Sequence, residues 1–335
     1  MKPFNTLGKR GQVARLKRVA EKALDDFGMR EVSLTPLVHM ANTTFRVETA
    51  DGERYVIRIH TPANGSLTPG RTEDQIRSEM EWLAALRRDT DLVVPVPVRT
   101  RDDKLLTRVE VEGVPEARVC VLFRWVDGRF MDEGLTPRHL ERVGIFIARL
   151  HEHSTRQFVP PEGFIRPTPD ALPPQLADEI VNTFAEVRPQ EDVAVVRAVI
   201  EKMQLVLEAL GTGPDVFGLI HADLHQWNYL FRKGEVRAID FDDCGWAHFL
   251  YDLTVTLSEL PHTQEYPQLR AALLKGYRSV RPLPEEHEVY LPVLLAFREL
   301  QLTTWFIEQR EHPAFRSWEQ DAMNGVKSMK ALAGV

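Results

Sequence analysis

One short polar run set between apolar, strand-like segments constrains the fold of this chain more than any other feature. Val216-Phe217-Gly218-Leu219-Ile220 reads as a buried strand, and His221-Ala222-Asp223-Leu224-His225-Gln226-Trp227-Asn228 follows it directly. Tyr229-Leu230-Phe231 then resumes the apolar pattern, Lys233-Gly234 marks a turn, and Val236-Arg237-Ala238-Ile239 returns to Asp240-Phe241-Asp242-Asp243. The compact hairpin expected between them would bring Asn228 and Asp240 to one edge, with Asp223 presented just past the strand end. Carboxylates are costly inside an apolar segment unless something compensates them. Asp240, read as part of such a segment, therefore points to a metal partner.

The chain is long enough, at 335 residues, for two lobes with separate cores. Its 42 basic residues against 49 acidic ones give a net charge of -7, which argues against nucleic acid or an anionic membrane as the main partner. Cys120 and Cys244 are the only cysteines, too few for a disulfide framework, so reduced thiols and a cytoplasmic setting are expected. No apolar run approaches a membrane span. The basic N-terminus lacks an apolar signal core and carries Glu21, Asp25 and Asp26. It reads instead as a surface helix over 11–27, closed by Gly28.

Periodicity divides the rest. Thr44–Thr49 and Arg54–His60 form a hairpin around Asp51-Gly52, residues 72–88 a helix, and the segments centred on 105–109 and 118–123 two more strands. That makes a small α+β lobe of residues 1–124. From 125 to 335 the pattern is mostly helical, with Leu140, Val143, Ile147 and Leu150 on one buried face. Helices are also expected near 191–210, 249–260, 266–280 and 285–311. Residues 154–190 are proline-rich and read as an irregular excursion.

The polar run has the residue types that phosphoryl transfer needs: a carboxylate to take a hydroxyl proton, and oxygen donors for a hard cation. Asp223 suits the first task as catalytic base. Asn228 and Asp240 suit the second as Mg²⁺ ligands. His221, Asp223 and His225 also alternate, as imidazole ligands of a metal-dependent hydrolase would, but that reading leaves Asn228 and Asp240 without a role.

Asp223 and Asn228 stand at the spacing of the protein-kinase loop H-R-D-x-x-x-x-N, and Asp240 in the place of the D-F-G aspartate. With Asn42–Val47, Tyr55–Arg58 and Ala148-Arg149-Leu150-His151, these motifs make the chain resemble the aminoglycoside phosphotransferase and choline-kinase-type family. Its layout is most similar to the bacterial branch of stress-response kinases and type II homoserine kinases. The resemblance covers residues 15–310 and implies a protein-kinase-like two-lobed fold of α+β class. It has a β-rich nucleotide-binding lobe and a helical catalytic lobe, with ATP in the cleft.

It further implies that Arg58 holds the nucleotide phosphates, that Val56 on the same strand face roofs the adenine, and that Phe123 and Trp125 lie at the adenine hinge. Glu79 is the expected helical partner of Arg58, with Glu81 the competing carboxylate. Asp252 matches an aspartate that braces the catalytic loop. The segment Val38–Thr44 has no glycine, unlike the phosphate loop of protein kinases, so Asn42, Thr43 and Thr44 are expected to contact phosphate through side chains.

The activity so implied is ATP- and Mg²⁺-dependent transfer of the γ-phosphoryl group to a hydroxyl of a small molecule: an amino alcohol, amino acid, sugar or aminoglycoside-like compound. Substrate contacts are expected from 154–190 and from the helix bearing Arg298, Gln301 and Trp305. Two other readings stay open: a Ser/Thr protein kinase of the stress-response type, and a nucleotide-binding homologue without catalysis.

Overall fold

The computed structural model describes residues 2–62, 70–131, 134–260, 264–311 and 317–334. The chain divides into two compact units. The first runs to Asp127 and takes in Val159–Arg166; the second holds Gly128–Phe158 and Pro167–Val335.

In the first unit the elements are α1 (Lys9–Asp26), β1 (Ser33–His39), β2 (Thr43–Glu48), β3 (Arg54–Ile59), α2 (Glu73–Asp89), β4 (Pro97–Val98), β5 (Thr107–Val109) and β6 (Arg118–Arg124). The sheet is antiparallel in the order β1-β2-β3-β6-β4, with β5 also paired to β6. Leu16, Val19, Ala20, Ala23 and Leu24 of α1 pack on Phe45, Val47, Ile57, Ile59, Cys120 and Leu122. Alternation along β3 therefore sends Ile57 and Ile59 to the α1 side and puts Val56 and Arg58 on the opposite face. Gly28, at φ 75°, ends α1 as the sequence predicts. α2 begins with a Thr72–Gln75 capping box and ends with Arg87 and Arg88 in its last turn, both favourable to its dipole.

Strand β1 is not foreseen in the sequence. Pro36 sits inside it, and a register shift lies between Pro36 and Val38. A proline is tolerated because β1 is an edge strand, where a missing N–H breaks no central ladder.

The second unit contains α3 (Pro137–Arg156), α4 (Pro174–Val187), α5 (Gln190–Leu210), β7 (Phe217–Ile220), β8 (Tyr229–Arg232), β9 (Glu235–Ala238), β10 (Gly245–His248), α6 (Phe249–Ser258), α7 (Tyr266–Arg278), α8 (Leu291–Glu308) and α9 (Trp318–Ala333). β7 pairs with β10 and β8 with β9, both antiparallel. Gly144 and Gly276 let α3 and α7 touch backbone to backbone. A Cβ on Gly276 would overlap the carbonyl of Glu141, and one on Gly144 the carbonyl of Leu273. Among the described residues, no helix is long and apolar enough to cross a membrane.

Two expectations need correction. The 154–190 stretch is not irregular throughout, because α4 occupies its second half. Pro173 and Pro174, which read as breakers, stand at the N-cap and first turn, where the missing N–H has no intrahelical partner to lose. Residues Val159–Arg166, assigned by sequence to the second lobe, cluster with the first unit. Ile165 donates its amide to Ser78 Oγ and Arg166 donates to the Gln75 carbonyl, so polar contacts with α2 decide their place.

Candidate active site

The polar run becomes a loop braced from beneath. Asp252, on α6 and fully buried, accepts the amides of His221 at 3.2 Å and Ala222 at 2.8 Å, and pairs with His151 Nε2 of α3 at 3.0 Å. His151 Nδ1 meets the Tyr277 hydroxyl of α7 at 2.9 Å. Ala222 takes a left-handed φ of 68°, a conformation that disfavours an L residue and is sustained here by the clamp on its amide. His221 donates from Nε2 to the Ile239 carbonyl and accepts the Asp223 amide at Nδ1. Both its nitrogens are thus engaged within the loop. Burial pushes its pKa down, against the pull of Asp252 and Asp223, so the ring is favoured as neutral.

Asp223 keeps a fifth of its side chain exposed. Its Oδ1 accepts from Arg298 Nη2 of α8 at 2.5 Å, and its Oδ2 from Asn228 Nδ2 at 2.9 Å. Burial alone would raise this carboxyl. The Arg298 guanidinium, with His225, overrides it and holds the group down at about 2. The Asn228 amide group also donates to the Asp223 carbonyl at 2.8 Å. With Nδ2 turned to Asp223, the carboxamide presents Oδ1 as its remaining donor atom for a hard cation.

Asp240 lies just past β9 in a left-handed conformation, φ 62° and ψ 67°, and is exposed. The sequence reads Asp240 as part of an apolar strand, where burial would demand a metal. Its position beyond the strand end removes that argument, while strain at a non-glycine residue marks the site in another way. Among the described residues, no group of three His, Cys, Asp or Glu side chains is arranged to hold a metal. The donor set on offer is one carboxamide oxygen and one carboxylate. It suits Mg²⁺, which takes few protein ligands and fills the rest with phosphate and water.

The first unit carries the other expected residues. Arg58, 4% exposed, pairs through Nη2 with Glu79 of α2 at 2.5 Å and lies over the Phe123 ring at 5.1 Å. Glu79 is the partner; Glu81, two residues on, belongs to another side of the helix. Thr43 is buried and its hydroxyl is engaged by His39 Nδ1 at 2.7 Å, while Asn42 Oδ1 accepts the Thr61 amide at 3.2 Å. These side chains shape the tight β1–β2 turn where glycine is absent. Val56 is half-buried beside Arg58 on the same strand face. The Trp125 amide is already given to the Arg54 carbonyl at 3.0 Å, with the Arg54 guanidinium over its ring.

Arg298 and Gln301, expected to face a substrate, direct polar atoms into the protein. Arg298 holds Asp223, while Gln301 donates to the Pro169 carbonyl at 2.8 Å and accepts from the Tyr251 hydroxyl. The sequence shows these residues on one face of a late helix, and nothing local announces that the face meets Asp223.

The model of the phosphotransferase enzyme family matches residues 33–290. A homoserine kinase of Gluconobacter oxydans (strain 621H) is 31% identical over 258 residues, which are 76% of this chain and 74% of that protein. The structure of a microcompartment-associated aminopropanol kinase superposes with a TM-score of 0.77 at 29% identity, over 95% of each chain. The amicoumacin kinase hAmiN, solved with AMP-PNP, Ca²⁺ and Ami, shares the fold at a TM-score of 0.73 and 20% identity, over 97% of this chain and 96% of that one.

Proposed function

Since the chain belongs to the phosphotransferase enzyme family, we propose that it transfers the γ-phosphoryl group of ATP to a hydroxyl of a small molecule, with Mg²⁺ as the metal. The observation that carries the reading is the joined pair at the loop tip. Asp223 and Asn228 bond directly, on a loop whose backbone is held by Asp252. A carboxylate with both oxygens fixed and an edge still open to solvent can aim an acceptor hydroxyl and take its proton. Asn228 Oδ1 and Asp240 would hold the metal. When bound, Mg²⁺ neutralises charge on the phosphates. Arg58, oriented by Glu79 and Phe123, is the group for the nucleotide phosphates, and its planar fork suits two oxygens at once.

The names of the relatives support placing amino alcohols and hydroxy amino acids at the head of an acceptor panel, followed by sugars, aminoglycosides and a generic protein. ADP release with MgATP is the measurement. The expected outcome is strong stimulation by one small-molecule class, lost when Mg²⁺ is chelated. Stimulation by the protein alone would favour a protein kinase, and no stimulation by any acceptor would sink the proposal.

A further inference from the structure

We propose that Arg298 is a positioning residue for Asp223, not a contact for the acceptor. The inference rests on the reading of Asp223 as the base. Arg298 lies on α8, 75 residues from Asp223 in sequence, and its side chain is 12% exposed. One terminal nitrogen holds Asp223 Oδ1, opposite the oxygen taken by Asn228. Asp223 is thereby gripped from two sides, by its own loop and by a distant helix. The contact from α8 brings the guanidinium charge, while on the loop side His225 also stands 3.4 Å from Oδ2.

The helix end of this grip is itself anchored. Tyr251, which is 1% exposed, lies beside Arg298. Tyr251 donates to Gln301, one helical turn from Arg298, and Gln301 donates to the Pro169 carbonyl. A guanidinium so placed can rotate little, and a carboxylate bonded to it inherits that order. Arg298 Nε is buried with no hydrogen-bond partner among the described residues. Leaving a buried donor unpaired is unfavourable. The hydrogen bond that the guanidinium does make is the one to Asp223. An arginine meant to receive an acceptor group would be expected to keep its terminal nitrogens open; here one of them is committed to Asp223.

The test uses Arg298→Met, Arg298→Lys and Tyr251→Phe in the full chain, with melting curves to confirm folding and the best acceptor from the panel for kinetics. Displacing a catalytic group by about 1 Å costs on the order of a hundredfold in rate. Arg298→Met is therefore expected to lose about that much kcat, while the acceptor KM stays within about threefold. Arg298→Lys should recover part of the loss, because charge returns without the fork. Tyr251→Phe should lower kcat severalfold with the Arg298–Asp223 charges intact. Unchanged kcat with a KM raised tenfold or more in Arg298→Met would overturn the proposal and make Arg298 an acceptor contact. If Arg298→Met does not fold, the other two variants decide: full kcat in both overturns the proposal.

A crystal structure of Arg298→Lys or Arg298→Met decides the same point without any acceptor. Asp223 should leave its present rotamer, and an Asp223 unmoved in both variants would overturn the positioning role. Absence of activity in the parent chain would count against the proposed function and leave this structural result standing.

Discussion

Asp223 is subject to two opposed influences, and the balance between them defines what the site can do. Withdrawal from water favours the neutral acid; Arg298 and His225 favour the anion, and the anion prevails. A carboxylate this stabilised is a modest proton acceptor in the ground state and an effective hydroxyl-orienting group. Asp223→Asn is accordingly expected to lower kcat by about 10²–10⁴-fold while leaving MgATP affinity near that of the parent. Isothermal titration and steady-state kinetics check this, and unchanged turnover would remove Asp223 as the base. Asp240→Ala should instead weaken MgATP binding, read by the same titration; equal affinity would remove Asp240 as a metal ligand. In the first unit, Glu79→Ala would take the carboxylate out of a pair that is 5% and 0% exposed. Breaking such a buried pair costs about 3–5 kcal/mol, measurable as a shift in the urea midpoint. A loss under about 1 kcal/mol would mean that Arg58 finds another anion or water.

At the scale of elements, the loop depends on three helices of the second unit. α6 supplies Asp252, α3 supplies His151, and α7 supplies Tyr277, so the register of α3 against α7 bears on the loop's backbone. That register requires the two glycines at the crossing. Gly276→Ala is expected to destabilise the protein by about 1–3 kcal/mol or more, since overpacking forces the helices apart. It should also slow turnover. A melting temperature equal to the parent's would show that the crossing tolerates the added methyl. Helical and strand segments with clean periodicity, such as α2, β3 and the β8–β9 hairpin, are legible in the sequence because each buries one face of a regular pattern. β1 and α4 are not, because proline inside a segment signals interruption locally. Only sheet-edge position or placement in the first helical turn makes it harmless.

For the molecule as a whole, buried histidines link folding to acid. His151 and His221 are both depressed by burial, so the unfolded chain binds protons that the native state refuses. Stability is therefore full above the ordinary histidine range near 6.5 and declines as pH falls through it. The slope is about 1.4 kcal/mol per pH unit for each group. Asp223 adds its own loss only below the usual carboxylate range near pH 4, where the unfolded chain takes up its proton first. Denaturant titrations at pH 8, 6 and 5 should show the midpoint falling between the last two. A midpoint flat from 8 to 5 would mean that neither histidine is held neutral.

What the sequence determined by itself is the set of polar side chains on the loop and the division of the chain into a β-rich first part and a helical second part. Spacing along a strand, a hairpin and a helix is local, and Asp223, Asn228 and Asp240 are joined by one short hairpin. The settling of Glu79 over Glu81 as partner of Arg58, the grip of Arg298 on Asp223 and the tie of His151 to Asp252 were decided only by tertiary structure. Each joins residues at least 21 positions apart. Contacts at that separation are fixed by how whole elements pack, and no local pattern records which face of a helix will meet which loop.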